Sequence, residues 1–366
     1  MKKAPTLRFK GFTNDWEQRK LGEISNIIAG GDKNINKIKK YGKYPVIANS
    51  INKNGIVGYY DNEYRVKAPA VTVTGRGEIG HAVARFQNFT PIVRLLALSS
   101  KLDSIFLANS INKIRFFNES TGVPQLTKPQ LSTYSIIIPS VEEQNNIGKL
   151  ILLIEKYIHL QQRKLKLLKV MKKALSQYMF CQETEFVPIL RFNSFSDKWK
   201  YERLKKLIVK EIKGKAKADM KGTKSTYIDT ALLNGGSITK VDSPTDTFHN
   251  DIIILWDGSQ AGKIYHGFTG ALGSTLKSYK PKYSGGFLYQ YLKSKEPIIF
   301  LRYRTPNIPH VVKDFTEIFK INVPSVKEQE KISKTLNYLD QSILVETKKI
   351  GSIKKIKKFL LQNMFI

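Results

Sequence analysis

Two stretches of this chain hold the side chains best suited to a polyanion. One is "GGDKNINKIKKYGK", residues 30–43, and the other is "KGKAKADMKGTKST", residues 213–226. They fall at matching places when the chain is slid along itself so that Gly30 lies on Lys213, and each carries several lysines against few acids. Lys33, Lys37, Lys39 and Lys40 in the first, and Lys213, Lys215 and Lys217 in the second, are candidates for phosphate contact. A solvated loop accounts for the same residues equally well. Two glycine turns follow, "TGRGEIG" at 74–80 and "DGSQAGK" at 257–263. Each sits between apolar runs in a strand–turn–strand rhythm. Such turns can bring backbone close to a DNA groove, with Arg76, Glu78, Gln260 and Lys263 as readers of bases or phosphates. An ordinary tight hairpin is the other reading. Tyr59, Tyr60 and Tyr64 either stack at an interface or pack in a core.

Other chemistries find little support. "NFTP" (residues 88–91) is not the N/D-P-P-Y/F tetrad of an adenine methyltransferase. "GSQAGK" is one residue short of a phosphate-binding P-loop and lacks its Ser/Thr. "EIK" at 211–213 matches only the tail of a nuclease motif. The five histidines show no ligand or triad spacing. The single Cys181 excludes an intramolecular disulfide framework and a multi-cysteine metal site. The expectation is a binder that directs chemistry performed elsewhere.

The elements that position these residues are written twice. "IPSVEEQNNI" begins at Ile138, and "VPSVKEQEKI" begins at Val323. In that register the match runs without a gap from Pro139 to Phe180 and from Pro324 to Phe365. It includes the pairs Glu143/Glu328, Gln144/Gln329, Ile147/Ile332 and Met179/Met364. "LRFKGFTNDW" near the start likewise matches "LRFNSFSDKW", with Leu7 falling on Leu190 and Trp16 on Trp199. The chain is therefore a duplicated unit, alike at its ends and divergent in its centre, which suits one job performed on two different targets.

Within each copy an apolar strand-like run ("YSIIIP", "FKINVP") ends at proline. Ser140 or Ser325 then stands at N-cap, with Glu three residues on, the spacing of a capping box. A proline-free helical pattern follows. Ile147, Leu150, Ile154, Tyr157 or Ile158, Leu165, Leu168, Met171, Leu175 and Met179 recur at steps of three and four. Ile332, Leu336, Leu339, Ile343, Ile350, Ile353, Leu360 and Met364 repeat the pattern. Helices of about 40 residues would run about 60 Å. A narrow apolar seam of that length calls for a partner helix, most simply its own copy running antiparallel. A membrane-surface helix is the alternative. The centres read as mixed α/β with short strands "YPVIAN", "AVTVTG", "HAVARF", "DIIILW" and "KIYHGF".

Bulk composition agrees. The 366 residues carry 61 Lys and Arg against 30 Asp and Glu, a formal charge of +31, which asks for a polyanion; 41% are hydrophobic, as in a globular chain. An anionic membrane, an acidic protein or a Lys-rich composition bias would also account for the charge. No apolar run is long enough to span a membrane, and the first residues lack an apolar signal segment, so the expected location is the cytoplasm.

The phrase I/V-P-x-x-x-E-Q-x-x-I, found twice, and the paired "LRF…W" openings resemble the specificity subunit of type I restriction–modification systems. "YPVIANSINKNGIVGYYDNEY" followed by "VTVTGRGEIG" is similar to a common kind of target recognition domain in that family. The resemblance covers essentially the whole chain. It implies an α+β fold with two mixed α/β target recognition domains separated by an antiparallel coiled coil of two long helices, related by a pseudo-two-fold duplication. The expected parts are a first recognition domain at 1–138, a spacer helix at 139–182, a second recognition domain at 183–323 and a second spacer helix at 324–366. It implies a chain that is not itself catalytic, each domain reading one half of a bipartite, asymmetric site on double-stranded DNA. Two modification subunits would dock on the repeated regions, with Glu143, Gln144, Glu328 and Gln329 as contacts. They would carry S-adenosylmethionine and methylate adenine at N6. Restriction subunits using ATP and Mg would join some complexes. No cofactor or metal is expected on this chain. The divergence of "TGRGEIG" from "WDGSQAG" means that contact residues do not transfer between domains. A stand-alone DNA enzyme, a coiled-coil scaffold for acidic proteins and a silent cassette are the competing readings.

Overall fold

The computed structural model describes residues 4–117, 122–182, 185–307 and 309–366. The second-domain start expected at residue 183 lies outside them. The chain forms two compact units, one of residues 1–162 with 348–366 and one of residues 163–347. Each takes half of both long helices.

In the first unit, four antiparallel strands lie in the order Ser25–Ala29, Leu95–Ser100, Ala70–Thr74, Ala82–Arg85. Ala70–Thr74 ("AVTVT") is buried at every position, because both of its faces are covered. On one side lie Leu21, Leu98, Leu107 and Ile111, the last two from the helix Ser104–Ile111. On the other lie Ile47, Val66 and Phe89, beside a three-stranded sheet of Ile56–Tyr60, Tyr44–Ile47 and Thr90–Pro91. Asp103 caps the short helix by accepting from the Phe106 N–H at 2.8 Å. A two-stranded ribbon, Glu17–Lys20 against Ser135–Ile138, leads into the long helix.

The second unit repeats this plan with other residues. Its four strands are Ile208–Lys213, Leu276–Pro281, Ile252–Leu255 and Ile264–His266. Its three-stranded sheet is Lys240–Val241, Lys221–Ile228 and Ala271–Leu272, with one parallel pair as in the first unit. The ribbon Lys200–Arg203 against Lys320–Val323 again precedes a long helix. Every strand expected from the sequence forms.

The long helices are Val141–Tyr178 and Val326–Asn363, 38 residues each, or about 57 Å. Ser140 and Ser325 cap them, accepting from the Glu143 and Glu328 N–H at 3.3 and 3.4 Å. The two helices run antiparallel within each unit. In the first, Glu155 accepts from Lys357 at 2.6 Å, while Ile147 and Ile151 pack with Met364 and Phe365. In the second, Lys172 pairs with Asp340 and Lys164 with Glu346, while Leu175 packs near Ile332 and Leu336. The apolar seam departs from the expected one at Met171 and settles the choice between Tyr157 and Ile158. Tyr157 is 40% exposed and Met171 44%, so neither belongs to it. Ile158 takes the place that the sequence left open between it and Tyr157. Among the described residues no helix is long and apolar enough to cross a membrane.

Candidate nucleic-acid interface

The glycine turns are bolted to the rest of their unit in the same way. In the first, the Leu126 N–H donates to the Gly75 carbonyl at 2.9 Å and the Gly77 N–H to that of Pro124 at 3.0 Å. In the second, the Val311 N–H donates to Trp256 at 3.0 Å and the Gly258 N–H to Pro309 at 2.9 Å. Each pair of bonds brackets a short antiparallel bridge, Arg76 opposite Gln125 and Asp257 opposite His310. Gly77 and Gly258 turn the chain at φ of +74° and +109°, conformations that a side chain would strain. The Asn49 amide clamps the first turn from behind. Its Oδ1 accepts from the Gly75 N–H at 2.6 Å, and its Nδ2 donates to the Arg76 carbonyl at 2.8 Å. Asn49→Ala is expected to cost about 1–3 kcal/mol, since it removes three neutral hydrogen bonds and leaves the Gly75 and Arg76 N–H groups without their acceptor. Amide hydrogen exchange at Gly75 should rise with it. Unchanged exchange would show that the turn holds without the clamp.

The basic stretches leave the four-stranded sheets through glycines. The Gly30 N–H donates to Leu95 at 2.7 Å and the Gly214 N–H to Leu276 at 3.0 Å. The fold thus pairs Gly30 with Gly214, one position on from the Lys213 that the sequence alignment gives it. In the first unit the stretch runs along strand Ile56–Tyr60, with Lys39 and Tyr59 exchanging backbone bonds at 2.9 Å. Lys37 pairs with Glu63 at 2.9 Å and Lys39 with Asp61 at 2.5 Å. These are exposed pairs, worth about 0–1 kcal/mol, and a phosphate can compete for the lysines. Lys33 and Lys40 are exposed, Lys40 lying 5.5 Å from the Tyr41 ring. Among the described residues these four lysines make no bond to Arg76. In the second unit the stretch is less of a loop than its composition suggests, since Lys221–Ile228 is strand. Ala216 is buried and its N–H donates to Leu272 at 3.0 Å, so Lys215 and Lys217 are displayed on either side of an anchored residue. Here the stretch and the turn do meet, through Lys213 and Asp257 at 2.6 Å. Lys263 donates to Gln260 at 2.6 Å within the turn. Behind the turn, Lys277 sits 3.4 Å from the Trp256 ring centroid and Arg304 donates to the Ser259 carbonyl at 3.1 Å.

The four residues expected to contact a partner do not form a surface. Glu143, Gln144, Glu328 and Gln329 are 1%, 2%, 1% and 4% exposed. Arg8 reaches Glu143 through Nε at 2.8 Å and Nη2 at 2.7 Å, and the Trp16 indole N–H donates to the same carboxylate at 3.2 Å. Arg191 makes the same fork on Glu328, both bonds at 2.8 Å. These bonds hold both guanidinium pKa values above their usual range. Gln144 and Gln329 donate to the carbonyls of Pro139 and Pro324 at 2.8 and 3.0 Å. The repeated phrase is thus an internal clamp tying each "LRF…W" opening to its helix, and burial removes it from partner contact. The exposed repeat lies one residue earlier than the seam. Leu153, Tyr157 and Leu160 form it in the first unit, and Tyr338 and Val345, at the places of Leu153 and Leu160, in the second.

Tyr60 is core, its hydroxyl accepting from the Asn34 N–H at 3.0 Å, whereas Tyr64 packs on Tyr44 at 4.9 Å. Burial pushes the Cys181 thiol up to about 12, which closes thiolate chemistry. Arg85, half-buried beside Thr72, is pulled down to about 10 by desolvation. His266 stacks on Tyr289 at 5.3 Å and lies 5.8 Å from His249; burial and that second ring depress its pKa. Among the described residues no group of three His, Cys, Asp or Glu could hold a metal. Sequence reasoning missed Asn49, Arg94, Gln125, Asp257, Arg304 and His310. The matching segments "GVPQ", around Pro124, and "NIPH", around Pro309, were visible, but not that the turns would pair with them.

A model of the "Type I restriction modification DNA specificity domain" matches residues 13–170 and again 196–355. The type I restriction enzyme MjaVIII specificity subunit of Methanocaldococcus jannaschii is 34% identical over 168 residues, which is 43% of this chain and 40% of that relative. The chain therefore aligns with less than half of that relative's length. The crystal structure of a type I restriction–modification S subunit from M. genitalium superposes with a TM-score of 0.75 at 17% identity, covering 99% of both chains. A second structure, from work on complex assembly and conformational transition of the type I R-M system, gives 0.52 at 14%, also over 99% of both. With both copies of its duplicated unit matched by the same family model, the chain belongs to the type I restriction modification DNA specificity domain family and carries that domain twice.

Proposed function

We propose that the chain is the targeting subunit of a type I restriction–modification complex and performs no catalysis itself. Each unit reads one half of a bipartite, asymmetric DNA site, and the gap between the halves goes unread. The observation that carries this reading is the repeated turn clamp. Two units hold a turn by identical backbone bonds yet fill it with different side chains, as expected of one reading device aimed at two sequences. The excess of basic residues supplies sequence-independent affinity for phosphate. Two modification subunits dock on the exposed apolar stripes, Leu153 to Leu160 in one unit and the equivalent Tyr338 to Val345 in the other, and methylate adenine at N6. S-adenosylmethionine belongs to those subunits, and ATP and Mg to restriction subunits where these join.

The test is genome-wide N6-methyladenine mapping by long-read sequencing, with and without this gene. Loss of methylation at one bipartite motif is expected. Methylation that persists unchanged, or loss at a single contiguous motif, sinks the proposal.

A further inference from the structure

We infer that Arg76 and Asp257 are the same specificity-determining position in the two units, Arg76 reading a guanine in one half-site and Asp257 a cytosine in the other. This rests on the function proposed above and names the residues that set its specificity.

The bonds that bracket each bridge leave Arg76 and Gln125, or Asp257 and His310, directly opposite each other with no backbone bond between them. In an antiparallel pair of this kind the two side chains leave the same face close together. The backbone polar groups of Arg76 are turned the other way, toward Asn49, and the Asp257 N–H donates to Thr275 at 3.2 Å. Both side chains are therefore displayed on backbone fixed from two sides. Such a mount loses little freedom on binding, which is what a base-reading group needs.

The chemistry at the equivalent positions is opposite. Arg76 is exposed, and Gln125 beside it accepts from Arg94 Nη1 at 3.1 Å. A guanidinium offers a fork of donors that matches the O6 and N7 acceptors of guanine. Asp257 offers only acceptors, which suit the N4 amino group of cytosine and repel the acceptor edge of guanine. Lys213, 2.6 Å away, neutralises that carboxylate, so it can approach the phosphate-rich duplex with acceptor capacity to spare. His310 opposite it is held through Thr305 at 3.0 Å. Inverting the charge at one mounted position gives one scaffold two half-sites.

The experiment uses the complete complex, with this chain and its modification subunits, and maps methylated motifs for the wild type, Arg76→Ala and Asp257→Ala. Arg76→Ala is expected to make one guanine position of one half-site degenerate while the other positions hold. Discrimination at that position should fall about ten- to a hundred-fold. Asp257→Ala should do the same at one cytosine of the other half-site. An unchanged motif in either variant overturns the inference. So does weakening that is uniform across sequences, the mark of a phosphate contact. If alanine abolishes methylation everywhere, Arg76→Gln and Asp257→Asn keep a polar group on the mount, and a motif unaltered in both overturns it equally. Failure of the functional reading looks different, because wild-type methylation would then not depend on the chain at all.

Discussion

Glu143→Ala is expected to lower the unfolding free energy of the first unit by about 3–5 kcal/mol, the cost of stranding a desolvated charge. Arg8 is 13% exposed at its side chain and Glu143 1%, so water cannot replace the lost carboxylate. The Trp16 indole N–H loses its acceptor in the same step. Glu328→Ala should cost the second unit less, by about 1 kcal/mol, because among the described residues the Trp199 indole N–H makes no such bond. Urea unfolding followed by tryptophan fluorescence measures both. Adding Arg8→Ala to Glu143→Ala should restore part of the loss, since it removes the unpaired charge. Equal losses in the single and double variants, or a loss under about 1 kcal/mol, would mean that the clamp is decorative.

The double variant Leu153→Glu/Leu160→Glu should leave that unfolding transition within about 0.5 kcal/mol of wild type, because both side chains already face water at 55% and 59% exposure. Its affinity for the modification subunit should nonetheless fall about a thousand-fold. Two leucines buried at an interface core contribute about 2 kcal/mol each, and a carboxylate in their place must be desolvated. Calorimetric titration with the purified modification subunit reads this directly. Retained affinity would move the docking surface away from the stripe. A large drop in stability would instead place the leucines in the fold's own seam.

Much of this molecule is local in origin and so was legible in its sequence. The two ribbons and long helices follow from apolar runs ended by Pro139 and Pro324, serine caps, and periodic apolar residues uninterrupted by proline. Each is a property of neighbours within a few turns of chain. The duplication was legible too, because copied sequence keeps its spacing. The role of "EEQ" and "KEQ" was not. A charged pair repeated at a helix start reads as a contact surface until Arg8 and Arg191 are seen folding back from far along the chain to bury it. Tyr157 and Ile158 differ by one helix position, about 100° of rotation, and only the partner helix decides which is covered.

The reading position was the furthest from view. Laying Pro124 on Pro309, the segments that pair with the two turns, puts Arg76 on Ala261 and not on Asp257. No single sliding of the chain superposes both the turns and their partner segments, so the equivalence exists only in the hydrogen-bond register. The sequence by itself determined that there are two copies, which elements they build and that the whole carries the charge of a nucleic-acid binder. Tertiary structure decided which polar side chains are buried and which are mounted outward, because burial and register depend on partners that lie far away along the chain.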